Sequence, residues 1–76
     1  METFWMIEIQ GNEFLSVNKL TKIPGIEWSA DANHYLTFPS KEIAQKMLDY
    51  LREKEPAMFP SAVKWWVSEH KYLPKT

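Results

Sequence analysis

The 76-residue chain carries 9 Lys and Arg against 10 Asp and Glu, a formal charge of −1, with 2 His and no Cys, and it is 45% hydrophobic and 14% aromatic. The near-neutral balance gives no global attraction for nucleic acid or an anionic membrane, and the lack of cysteine excludes a disulfide framework, thiolate zinc ligation and thiol chemistry. A chain this short buries only roughly 60% of the surface its unfolded form exposes, which predicts one domain over residues 1–76 and little shielding for a deep catalytic cleft.

The opening Met1-Glu2-Thr3-Phe4-Trp5-Met6-Ile7-Glu8 has an early acid and no basic stretch, unlike a signal peptide. No uncharged apolar run approaches the ~20 residues that cross a bilayer, so no membrane partner is expected and the cytoplasm is the expected compartment. Trp5, Ile7 and Ile9 alternate with period two, which predicts a strand over Thr3 to Ile9. Gln10-Gly11-Asn12-Glu13 reads as the turn of a hairpin into a second strand, Phe14 to Val17. A three-residue loop over Gly11-Asn12-Glu13 is favoured and pairs Ile9 with Leu15. An odd loop sets Trp5, Ile7, Ile9, Leu15 and Val17 on one face, and Phe4, Met6, Glu8, Phe14 and Ser16 on the other.

Asn18 to Asn33 shows no sustained period, so it reads as a loop with a probe of extended chain near Ile26 to Ser29 and a type II turn at Pro24-Gly25. His34 to Phe38 reads as a third strand, closed by Pro39. Ser40 then stands where a helix N-cap belongs. Ile43, Ala44, Met47, Leu48 and Leu51 draw an apolar stripe down a helix from about Lys41 to Lys54, with Glu42–Lys46 and Asp49–Arg52 as ion pairs on its wet side. Pro56 ends the helix. Val63, Trp65 and Val67 alternate with Lys64, Trp66 and Ser68 in a last strand, Ala62 to Glu69. The class is therefore α+β: a mostly antiparallel sheet of three or four strands with one helix packed on one face. Strand order stays open.

One fourteen-residue helix, ~21 Å long, covers one face of such a sheet. Parity sends Phe4, Met6, Phe14 and Trp66 to the other face, as an apolar patch near the largest that monomers commonly expose. Association through it, with a second copy or a host protein, and cover by the 18–33 loop or by the tail with Tyr72 and Leu73 are equally weighted readings. Whatever the register, one of Trp65 and Trp66 faces outward, because adjacent strand residues alternate.

The chemistry-bearing residues are scattered. Ser68 and His70 point one way and Glu69 the other on a strand, so no catalytic relay forms. Asp31, His34 and Glu27 fall short of a convergent metal-ligand set. Two glycines, at 11 and 25, make no phosphate loop. No catalytic, metal or cofactor site is assigned. Sheet aromatics do serve as base-stacking platforms in single-strand nucleic-acid binders, and Lys64 with Trp66 and Phe14 is the set that would do so here.

Phe4-Trp5-Met6-Ile7-Glu8, Phe14-Leu15-Ser16, Trp28-Ser29-Ala30-Asp31, Phe38-Pro39-Ser40-Lys41-Glu42-Ile43-Ala44 and the run Val63 to His70 together resemble a loose group of short proteins encoded by phages and other mobile elements. The resemblance spans most of the chain and implies a small β-β-α-β core, a phage or bacterial origin and an interaction role. It carries over no functional residue. The expected function is a non-catalytic interaction domain, a homodimer or a binder of a host protein, that uses Trp66, Phe4, Met6 and Phe14. The alternative is an accessory protein that binds single-stranded nucleic acid.

Overall fold

The computed structural model describes residues 3–18 and 25–72. Strands β1 (Phe4–Ile9), β2 (Glu13–Asn18), β3 (Gly25–Ser29) and β4 (Trp65–His70) form one antiparallel sheet, in the order β3-β2-β1-β4. Among the described residues one α-helix, α1 (Lys41–Lys54), lies between β3 and β4, so the α+β class and the element order are as the sequence implies. β3 and β4 lie at opposite edges and run in opposite directions, so the handedness rule for parallel crossovers does not apply.

The hairpin loop is odd but sits one residue earlier than expected. Ile9 pairs with Glu13 and Glu8 with Phe14 across Gln10-Gly11-Asn12. The slip is two residues in register, so the face of every side chain is preserved. Positive φ at Gly11 (104°) and Asn12 (64°) explains the placement: glycine adopts that region freely and asparagine more readily than most residues.

The third strand is the main correction. Gly25–Ser29 pairs along β2 from Asn18↔Gly25 to Phe14↔Ser29, whereas His34 to Phe38 makes only isolated bridges. Trp5 and Phe38 exchange two backbone hydrogen bonds of 2.8 Å, and the Leu36 N–H donates to the Leu15 carbonyl at 3.0 Å. The segment thus satisfies backbone groups of β1 and β2 that the short hairpin ladder leaves unpaired. Pro39 then turns the chain into α1. The predicted turn at Pro24-Gly25 lies partly outside the described residues, and the 19–24 stretch of the predicted 18–33 loop and Leu73 lie wholly outside them.

Ser40 caps α1: its backbone is extended and its hydroxyl accepts from the Ile43 N–H at 3.2 Å. Ala44, Leu48 and Leu51 are the buried ridge, spaced i, i+4, i+7. Ile43 and Met47, expected in the core, are 48% and 36% exposed. The expected Asp49–Arg52 ion pair is replaced: Asp49 accepts from the Gln45 amide at 3.0 Å, and the Arg52 guanidinium lies 5.4 Å from the centre of the Trp65 ring.

After the helix, Pro56–Met58 form a 3-10 turn that delivers Phe59 to the sheet. Phe59 is wedged edge-on between Trp28 at 5.6 Å and Trp65 at 5.3 Å, and the Trp28 indole donates to the Met58 carbonyl at 2.8 Å. Edge-to-face pairs of this kind add about 1 kcal/mol each beyond area burial. The helix therefore lies over β1 and β4, and the connector reaches Trp28 on β3. Ile7, Leu15, Phe38, Ala44, Leu48, Leu51 and Phe59 form the core between these layers. β4 begins later than predicted, at Trp65, with Val63 partly exposed before it.

Candidate interaction surface

The surface of interest starts from Trp65 and Trp66. Trp65 packs against the core beneath Arg52 and Phe59, while Trp66, one residue on, is 41% exposed on the opposite face. The alternation of a strand makes that split unavoidable.

The second face is not open as expected. Met6 is 0% and Phe14 4% exposed, and Phe4 is partly buried. The rings of Tyr35 and His70 pack against this face. Phe14 sits 4.9 Å from Tyr35 and 5.8 Å edge-on from His70, and His70 stacks on Phe4 at 6.1 Å. Phe14 belongs to β2 and His70 to β4, so their contact closes across β1, where Met6 lies. Ser16, also 0% exposed, turns its hydroxyl back to the Phe14 carbonyl at 2.9 Å, which removes the cost of an unpaired buried polar group. A small second core thus occupies the face predicted to dock a partner: strand alternation sets His70 on that face beside Phe4, and Tyr35 is brought against Phe14 by a tertiary contact that strand parity does not encode.

Trp66 remains outside this cover. With Val63, Lys64 and Trp65 it lines an open depression at the start of β4. Glu8 stands directly across from it on β1. Lys64 is exposed and its backbone is tied to the hairpin: its carbonyl accepts from the Gln10 N–H at 2.8 Å, and its own N–H donates to the Gln10 side chain at 3.3 Å. Of the residues proposed for nucleic-acid stacking, the structure brings Lys64 and Trp66 together and keeps Phe14 apart from solvent.

A second exposed apolar strip runs along α1. Ile43, Met47 and Tyr50 (57% exposed) follow one another at i, i+4, i+7 and enclose a depression with Lys46. The sequence carried a signal for it: with Tyr50 included, the apolar arc of α1 is wider than one sheet face can receive. The role of Arg52 had no such signal, because Trp65 is thirteen positions away in the chain.

Ser68 and His70 lie on one face, with Ser68 Oγ 2.7 Å from His70 Nε2, while Glu69 on the other face accepts from the Thr3 hydroxyl at 3.1 Å. His70 is held between Phe4 and Phe14, and among the described residues it forms no ion pair with a carboxylate, so this pair joins the second core. Asp31 accepts from the Asn33 N–H at 3.0 Å as the cap of the Ala32–His34 turn, and its other oxygen is 3.8 Å from His34 Nδ1. Glu27 sits in the ladder opposite Ser16. Among the described residues no three His, Asp or Glu side chains converge as metal ligands, and no helix is long and apolar enough to cross a membrane.

Comparison with family models, curated proteins and solved structures returned no match to this chain.

Proposed function

We propose that this protein is a non-catalytic interaction domain whose contact surface is centred on Trp66 and the start of β4, engaging a second copy or a host protein. The observation that carries this reading is an exposed tryptophan, 41% accessible, set on a rigid strand whose neighbour Trp65 is anchored in the core. Tryptophan is the residue most enriched at interface hot spots, and a side chain fixed by a packed strand loses little further freedom on binding. Phe4, Met6 and Phe14, on the same face as Trp66, pack into the second core instead of meeting the partner. Phage or bacterial origin and action in the cytoplasm belong to the same reading and rest on the resemblance described above.

The test separates the two indoles. Trp66→Ala is expected to leave the denaturation midpoint within about 0.5 kcal/mol and to weaken association in light scattering across concentration, or with a host partner in titration. Trp65→Ala is expected to cost about 3 kcal/mol of stability. Equal loss of stability in both variants, with association unmoved, would sink the assignment.

A second reading, single-strand nucleic-acid binding, is favoured by the shared depression of Lys64 and Trp66. Glu8 opposite Trp66 and the burial of Phe14 weigh against it. It requires oligonucleotide binding that falls steeply with salt.

A further inference from the structure

β4 is an edge strand, and the register shows which of its backbone groups are free. Trp5 gives both its N–H and its C=O to Phe38, on the side of β1 away from β4. The odd residues of β1 therefore face away from β4, and the pairs Trp5↔Glu69, Ile7↔Val67 and Ile9↔Trp65 are the non-bonded pairs of that ladder. Trp65, Val67 and Glu69 consequently aim their N–H and C=O groups outward, and among the described residues nothing pairs with them. The opposite edge is shorter: β3 turns only Ile26 and Trp28 outward. Natural sheets guard a free edge with charged side chains, lysine above all, with proline or with a bulge. Glu69 is the one such charge on β4; of the stronger guards, lysine, proline and a bulge, β4 has none between residues 65 and 70.

We infer that this edge pairs antiparallel with the same edge of a second copy, about a twofold axis at Val67, to make one continuous eight-stranded sheet. The inference rests on the interaction reading above and names its partner. The register follows from the chain: only with Val67 opposite Val67 do all three outward residues of each copy find mates, and Trp65 then faces Glu69 of the other copy. Charge supports the same alignment. The Arg52 guanidinium lies over Trp65, and the exposed Glu69 carboxylate, engaged only by the Thr3 hydroxyl among the described residues, is on that same face. Antiparallel pairing therefore sets Arg52 of each copy beside Glu69 of the other, twice by symmetry. On the opposite face each Trp66 opposes Ser68 and lies diagonal to the other Trp66, within reach for aromatic side chains. Edge pairing thus covers the exposed tryptophan without a new pocket.

The test is sedimentation of the full chain across concentration, with amide hydrogen exchange at low and high concentration. The expected result is a reversible dimer in which the Trp65, Val67 and Glu69 amides gain protection on dimerisation. Glu69→Arg and Arg52→Glu are each expected to weaken the dimer at least tenfold, and the double exchange to recover most of that loss. Because both positions are exposed, these variants keep the fold, which far-ultraviolet circular dichroism verifies. A chain that stays monomeric up to about 1 mM overturns the inference. So does a dimer whose 65, 67 and 69 amides exchange as in the monomer. A dimer lost on Trp66→Ala but indifferent to the charge variants retains the interaction reading and rejects edge pairing.

Discussion

Tyr35 has its titration altered by the fold. Burial raises its hydroxyl above the ordinary 10.0, and the nearby Asp31 carboxylate pushes the same way. The hydroxyl donates to the Ala30 carbonyl at 2.9 Å, a bond that exists only while the proton is present. A raised native value means that the folded state holds the proton more tightly than the unfolded chain. The associated stability is full below pH 10.0 and is lost as pH rises through the native value. Denaturant midpoints are expected to fall in that window, and to fall less in Tyr35→Phe. An identical alkaline decline in both proteins would show that Tyr35 contributes nothing to it. The chain pattern marks Tyr35 only as part of an extended segment. That it lies against Phe14 depends on where the segment goes after leaving β3.

At the scale of the element, α1 was legible nearly to the residue, because Ser40, the apolar spacing and Pro56 are local signals that act within a few residues. Its rotation was not. Five apolar positions and Tyr50 span too wide an arc to be buried together, and the choice of Ala44, Leu48 and Leu51 was made by the sheet beneath. Leu48→Ala is therefore expected to cost about 3 kcal/mol, and Met47→Ala less than about 1 kcal/mol, in paired urea melts. Comparable losses in the two variants would mean that the helix is rotated from the arrangement described. The β3 correction has the same origin. Gly25–Ser29 and His34–Phe38 are both short and partly β-branched or aromatic, and composition does not say which of them pairs along the length of β2.

At the scale of the molecule, two apolar layers lie on the two faces of one sheet. The odd residues of β1 face the helix, and Met6 faces the layer under Phe14 and His70. Damage on one side should therefore be felt on the other. Met6→Ala is expected to cost about 3 kcal/mol and to move a single transition seen both by far-ultraviolet dichroism and by the near-ultraviolet signal of the Trp28, Phe59 and Trp65 cluster. If the aromatic signal melts unshifted while the secondary structure melts early, the layers are independent and two-state behaviour fails. The exposure of Trp66 is a property at this scale too, since it depends on what the rest of the chain leaves uncovered.

Strand parity, the hairpin, the helix limits and the opposed placement of Trp65 and Trp66 were all determined by residues a few positions apart, for which covalent geometry and backbone hydrogen bonding are sufficient. Which segment became the edge strand, which stripe of the helix was buried, and whether the far face stayed open were decided only by tertiary structure. Those outcomes depend on contacts such as Phe14 with His70, 56 positions apart, and on the competition of several apolar segments for the same limited area. Local pattern ranks such segments as equals. Packing of the whole chain separates them.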